Sequence, residues 1–178
     1  MKLLAELHDK DVGIKLKKQK ETMKRMAARA VLMKGNKVAL LYVSKDKYHK
    51  LPGGGVEKNE TIEDALFREM LEETGCKIKI IGEIGKIIEH RPRSELVNNT
   101  NADLVQTSYC YLAEVVEEGE PNFDEGEKKV GYKLEWFSLE NAIKLIEKEN
   151  PTANDCKFII TRDRIILKSA QQILIKKL

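Results

Sequence analysis

Residues 51–76 read Leu51-Pro52-Gly53-Gly54-Gly55-Val56-Glu57-Lys58-Asn59-Glu60-Thr61-Ile62-Glu63-Asp64-Ala65-Leu66-Phe67-Arg68-Glu69-Met70-Leu71-Glu72-Glu73-Thr74-Gly75-Cys76. The stretch predicts a glycine loop running into a helix that ends in carboxylates. Thr61 is a natural N-cap, with Asp64 three residues on to reciprocate. Gly75 is the residue that stops the helix. At about 100° per residue, Glu69, Glu72 and Glu73 fall within about a third of the helix circumference. Ile62, Ala65 and Leu66 share that side one or two turns earlier. Phe67, Met70 and Leu71 form a second apolar strip on the other side, so the glutamates are expected beside buried surface.

Such a placement costs stability. The three glutamates sit in the last turns of the helix, where the macrodipole is already negative. Glu69 and Glu73 are a like-charge pair at i,i+4. Arg68 is the one basic residue of the predicted helix, and one guanidinium cannot neutralise three carboxylates. A hard divalent cation can, because Mg²⁺ and Mn²⁺ take oxygen ligands from carboxylates, water and substrate phosphate. A solvated acidic face is the plain alternative; the adjoining apolar positions and the preceding glycine loop weigh against it. Removing one glutamate is then expected to hold or raise the stability of the metal-free protein.

The spacing Gly54, five residues, Glu60, seven residues, then Arg68-Glu69-Met70-Leu71-Glu72-Glu73-Thr74-Gly75-Cys76 resembles the Nudix box. The box occupies residues 54–76. Cys76 stands where the family has a larger aliphatic residue, and a buried thiol is apolar enough to serve. More loosely, 27–52 resembles the two strands before the box, and Glu135-Trp136-Phe137-Ser138-Leu139 the last strand and the next helix. The resemblance implies an α/β/α sandwich with a mixed sheet between helices. It also implies hydrolysis, with Mg²⁺ or Mn²⁺, of a pyrophosphate bond in a nucleoside diphosphate linked to another group. Glu69, Glu72 and Glu73 would be metal ligands, with Gly54 offering its carbonyl. One glutamate would orient or deprotonate the attacking water. Arg68 would clamp the carboxylates, and Glu60 would support the loop and helix start. A further glutamate from outside the box is expected, and Glu120 is chosen from an acidic loop that also offers Glu117, Glu118, Glu125 and Glu127. Family habit adds a homodimer through the terminal elements.

The rest of the chain bounds these readings. A length of 178 residues gives one domain, 1–178, with 1–26 as an N-terminal extension. The charged content of 34% excludes a membrane protein, and the 42% hydrophobic content excludes disorder. Cys76, Cys110 and Cys156 are odd in number and far apart, which fits reduced thiols in the cytoplasm. Lys15 to Arg25 holds six basic residues against one acid. Without interleaved aromatics it reads as a solvated edge, not as a nucleic-acid site. His8 and His90 have no partner at metal-ligand spacing.

Periodicity predicts strands over 27–33 and 37–44 joined by Gly35-Asn36. Further strands are predicted at 48–52, 77–81, 83–90, 104–116 and 132–137. Helices follow at 139–149 and 155–178, the latter with clear apolar spacing from about Thr161. Residues 91–103 read as a polar surface loop whose Arg91 and Arg93 suit a substrate phosphate. Arg29 and Tyr48, before the box, are further substrate-binding candidates. A catalytically silent nucleotide sensor, an isomerase and an RNA cap pyrophosphohydrolase are the rival functions. The intact box argues against the first two, and the short basic run against the third.

Overall fold

The computed structural model describes residues 1–15, 21–92 and 102–176. The chain runs β1 (Leu3–Leu7), a 3₁₀ turn (Asp9–Val12), β2 (Glu21–Lys34), β3 (Lys37–Val43), β4 (Tyr48–Lys50), β5 (Gly53–Gly55) and α1 (Ile62–Thr74). It continues through β6 (Lys77–Arg91), β7 (Ala102–Glu117), α2 (Glu125–Val130), β8 (Tyr132–Ser138), α3 (Leu139–Lys148) and α4 (Asn154–Ile175). The strands make one sheet in the order β1-β6-β7-β2-β3-β4, with β5 added to β2 and β8 to β3. The pairs β1/β6 and β2/β7 are parallel and the rest antiparallel, so the sheet is mixed.

β2 explains the layering. Residues 27–32 are buried throughout, as a strand covered on both faces requires. Alternation sends Ala28, Ala30 and Leu32 against Ala65, Leu66 and Met70 of α1. Val31 faces the other way, into a cluster with Ile143 of α3 and Phe158 and Ile166 of α4. The expected α/β/α sandwich is therefore present. The hairpin closes at Lys34 and Lys37, with Gly35 at φ 59°, a left-handed value glycine adopts without strain.

α1 begins and ends where its caps predict. Thr61 Oγ1 accepts from the Asp64 N–H at 3.1 Å, and Gly75 sits at φ 69°. Its second apolar strip is only partly buried: Met70 points inward, but Phe67 and Leu71 are 44% and 49% exposed. The inward side is set by Ala65, Leu66 and Met70, which leaves Phe67 and Leu71, one turn apart, facing out.

Other elements differ from the periodicity. The strands expected at 77–81 and 83–90 are one strand, β6, whose register shifts between Ile80 and Gly82 and again between Glu83 and Gly85. α4 starts at Asn154, seven residues before the clear apolar spacing, with Ala153 at its N-cap. Leu3–Leu7 add an edge strand beside β6, and 21–26 lengthen β2 alongside β7. α2 lies in the acidic stretch, where Asp124 and Glu127 form a capping box. Arg91 closes β6 and Ala102 opens β7, so both ends of the expected 91–103 loop are strand, and Arg93 lies outside the described residues.

His49 of β4 ties three elements together. Its Nε2 lies 3.1 Å from Glu135 of β8, and its Nδ1 lies 2.5 Å from Glu149 beyond α3. Burial alone would lower this imidazole's pKa, but the two carboxylates outweigh it and raise the value. A raised folded pKa stabilises below the unfolded value, about 6.5, and the contribution is lost as pH rises through the folded value. The melting-temperature gap between wild type and His49→Gln is therefore expected to be largest near pH 6 and to shrink in alkaline buffer. A gap that widens with pH would contradict this.

Candidate active site

The β5 loop, α1, α2 and α4 surround a cleft of about 760 Å³. It is lined by Glu57, Glu69, Glu72 and Glu73 and also by Arg25, Arg29, Arg91 and Arg162, and the two sets meet at the β5 loop, where the Gly53 N–H bonds Glu73 and its carbonyl accepts from Arg29. β5 and α1 place the carboxylates. A Cβ at Gly54 would collide with the Glu69 carboxylate, so the glycine lets that side chain lie against the loop backbone.

Glu73 is 1% exposed. One of its oxygens accepts from Lys50 Nζ at 2.8 Å and the other from the Gly53 N–H at 2.5 Å. Burial raises the Glu73 carboxyl above the ordinary range, while Lys50 and the Gly53 N–H pull against the rise. Lys50 is buried too; burial works against its charge, but Glu73 holds it protonated. Lys50 is thus a second cation for the box glutamates, besides the Arg68 of the helix itself.

Arg68 gathers the remaining carboxylates. Its Nε and Nη2 reach Glu60 at 2.9 and 3.1 Å, Nη1 reaches Glu69 at 2.8 Å and Glu72 at 3.1 Å, and Nη2 also bonds the Gly55 carbonyl at 2.9 Å. These bonds raise the Arg68 pKa, Glu60 first among them. They also hold Glu60 below the carboxylate range. Glu69 stays raised, by burial and then by Glu73. Burial therefore favours the neutral form of two carboxyls that face one cleft. The donors are all hard oxygens, and a divalent cation beside them would relieve that penalty. The residues fit Mg²⁺ or Mn²⁺.

The cationic side is built on a buried network. Glu89, fully buried, accepts from Arg91 Nη2 at 2.7 Å and Gln106 Nε2 at 3.0 Å, and lies 3.6 Å from Arg162. Burial opposes its charge, yet Arg91 and Arg162 hold its pKa down. Asp163 accepts from Arg162 Nε at 2.7 Å and from the Leu51 N–H at 2.8 Å, which ties α4 to the strand entering the glycine loop. Arg29 donates to the Gly53 carbonyl at 2.5 Å. Its pKa is lowered to about 10 by burial and by Arg162. Arg25 is lowered too, by burial and by Arg91. Both Nη atoms of Arg162 and the Nε atoms of Arg29 and Arg91 are buried without a hydrogen-bond acceptor. These guanidiniums favour an anion.

The sequence candidates distribute unevenly over this cleft. Gly54, Glu69, Glu72, Glu73, Arg68, Arg29, Tyr48 and Arg91 all line it. Glu60 supports it through Arg68. Gly75 stops α1, and a Cβ there would collide with the Gly119 carbonyl. Arg91 is no surface-loop residue: it is 1% exposed and also bonds Asp155 at 3.2 Å. Tyr48 is 4% exposed and packs with Val43 and Cys156, leaving no open ring face. Glu120 is exposed and does not line the cleft; Glu125 and Glu127 do, because α2 turns that end of the acidic stretch inward. Arg25, Lys50, Arg162 and the edge-on pair Phe123 and Tyr132, with centroids 5.8 Å apart, were missed. In the sequence Arg25 ends a basic run that reads as a solvated edge. The signal for Arg162-Asp163, a charged pair inside an apolar helical stripe, was available.

The NUDIX domain profile matches residues 23–156. The chain belongs to the NUDIX family. Among its relatives is mouse diphosphoinositol polyphosphate phosphohydrolase 3-alpha, 31% identical over 134 residues, covering 74% of each chain. Another is rat diphosphoinositol polyphosphate phosphohydrolase 2, 31% identical over 138 residues, covering 74% of this chain and 68% of that one. A MutT NUDIX hydrolase from Burkholderia pseudomallei shares the fold at 21% identity and TM-score 0.54, covering 83% of this chain and 98% of that one. A UDP-X diphosphatase does so at 17% identity and TM-score 0.53, covering 84% and 64%. This NUDIX protein is a pyrophosphohydrolase, and no helix among its described residues is long and apolar enough to cross a membrane.

Lys50 changes what a glutamate substitution does without metal. Glu73→Gln leaves a buried ammonium without its anion, so a loss of about 3–5 kcal/mol is expected. The Glu72 side chain is 46% exposed and, among the described residues, pairs with Arg68 alone, so Glu72→Gln is expected to stay within about 1 kcal/mol. Denaturant unfolding in chelator checks both values.

Proposed function

We propose that this enzyme uses Mg²⁺ or Mn²⁺ to hydrolyse a pyrophosphate bond in a substrate that carries phosphate beyond the scissile group. The observation that carries this reading is a single cleft lined by both the box carboxylates and a set of guanidiniums. Glu69 and Glu72, with Glu73 behind them, would hold the cation, and Gly54 would contribute its carbonyl. The cation would neutralise phosphate oxygens and acidify bound water. Arg68 acts as a positioning residue, since its donors are committed to Glu60, Glu69, Glu72 and Gly55. One of the cleft glutamates takes the proton from water; Glu127 is the nearby reserve carboxylate in place of Glu120. Arg25 would meet the non-reacting phosphates, and Arg29 and Arg162, buried behind the β5 loop, would add positive potential beneath them.

The leading substrate class is a nucleoside diphosphate linked to another group, with Phe123 and Tyr132 offering aromatic surface to a base. The second reading is a diphosphoinositol-type polyphosphate, favoured by the four cleft arginines and by the names of the relatives. A nucleic-acid substrate and a silent sensor are less favoured by a cleft with every box carboxylate in place. We take the chain as a single catalytic unit in a reducing, cytoplasmic setting, a reading supported by three buried free cysteines.

The test is a panel of nucleotide sugars, dinucleoside polyphosphates, nucleoside triphosphates and inositol pyrophosphates, assayed with Mg²⁺. Excess chelator is expected to abolish turnover. Glu72→Gln is expected to lower kcat/KM by about 100-fold or more. Arg25→Ala is expected to raise KM, with kcat less affected. Turnover that persists in chelator would sink the metal reading. A KM that does not move in Arg25→Ala would remove the guanidinium side from recognition.

A further inference from the structure

At the β1 edge of the sheet, β6 brings His90 beside Glu6 and His8, which lie far from it in the sequence. β1 pairs with β6 in parallel, Glu6 beside Ile88 and Leu7 beside Glu89. Continuing that register sets His8 beside His90. Alternation along a strand puts Glu6 and His8 on one face and His90 on the same face next door. The opposite face at this level carries Leu7 and Glu89, both buried. The three side chains therefore converge on the outer side of the edge.

The contacts are close. His90 Nε2 lies 2.6 Å from Glu6 Oε1, and His8 Nε2 lies 4.0 Å from the same oxygen. The two imidazoles stack nearly parallel, with centroids 4.4 Å apart and planes at 10°. One ligand atom from each residue lies within 4.8 Å of the others. In a tetrahedral zinc site, bond lengths near 2.0–2.1 Å separate ligand atoms by about 3.4 Å. The spacing here brackets that value, and small side-chain rotations reach it. The His8 backbone is fixed, since its N–H donates to Asp11 Oδ2 at 2.9 Å at the start of the 3₁₀ turn. All three side chains are partly open, at 46%, 38% and 34% exposure, which leaves room for water to complete the coordination.

We propose that Glu6, His8 and His90 form a transition-metal site, separate from the box carboxylates and of a different metal preference. Two imidazole nitrogens and one carboxylate oxygen suit Zn²⁺, Cu²⁺, Ni²⁺ or Co²⁺ and not Mg²⁺. The ion joins the N-terminal strand to β6. The neighbouring residue on β6, Glu89, anchors Arg91 and Arg162 beneath the cleft. The site is thus a clasp on the edge strand, independent of how the box glutamates work.

The test uses full-length protein stripped of metal, with Mg²⁺ in large excess to occupy the carboxylate cluster. Titration calorimetry with Zn²⁺ is expected to show one site of micromolar affinity or tighter, and Zn²⁺ is expected to raise the melting temperature. Cu²⁺ in place of Zn²⁺ should give an electron paramagnetic resonance spectrum with nitrogen hyperfine structure. His8→Ala and His90→Ala should each lose the calorimetric site, the thermal shift and the nitrogen signature, while Mg²⁺-supported turnover persists. If His90→Ala does not fold, His90→Gln and the wild-type Cu²⁺ spectrum decide. No micromolar Zn²⁺ uptake by the wild type, equal uptake by the variants, or a Cu²⁺ spectrum without nitrogen coupling would overturn the proposal.

Discussion

The Glu73 carboxylate holds the site together. It is buried at the end of α1, and both of its oxygens are taken, one by Lys50 of β4 and one by the Gly53 N–H of β5. A charge so placed is tolerable only with such partners. The bonds fix the last turn of α1 against the glycine loop, which sets where Glu69 and Glu72 stand and where the loop backbone runs. Arg68 then spreads its donors over Glu60, Glu69, Glu72 and Gly55, so that two carboxylates of α1 and one from the loop before it coexist in a small volume.

The cleft holds two crowded sets of like charge. Burial raises the pKa of two of the carboxyls, Glu69 and Glu73. Burial and mutual repulsion lower the pKa of Arg25 and Arg29. A further cation would relieve the first set and a further anion the second. Under the proposed function a metal-bound polyphosphate would supply both at once. The Glu89 network makes this possible, because it holds Arg91 and Arg162 in the interior instead of letting them extend into water.

Much of this was legible in the sequence, for local reasons. Thr61, Asp64 and Gly75 delimit α1 through caps that act within one turn, so the helix and its glutamates could be placed. The near-continuous apolar runs of 27–33 and 37–44, parted by Gly35-Asn36, mark the hairpin. Long-range pairing was not legible. Lys50 meets Glu73, and Arg162 meets Glu89, only because the sheet and α4 bring them together. Arg91 reads as a loop arginine next to Pro92, yet its guanidinium turns inward to Glu89. Glu120 and Glu127 are equivalent in an acidic run; the Asp124 cap decides which of them turns toward the cleft. His8 and His90 meet only because β1 joins the sheet edge, a pairing no local signal announced.

The most direct measurement is a double-mutant cycle on Lys50→Met and Glu73→Gln, followed by denaturant unfolding in chelator. Each single change strands a buried polar partner, while the pair removes both. A coupling of about 2 kcal/mol or more is expected, with the double variant more stable than the Glu73→Gln single. Single effects that add to within about 0.5 kcal/mol would contradict the account.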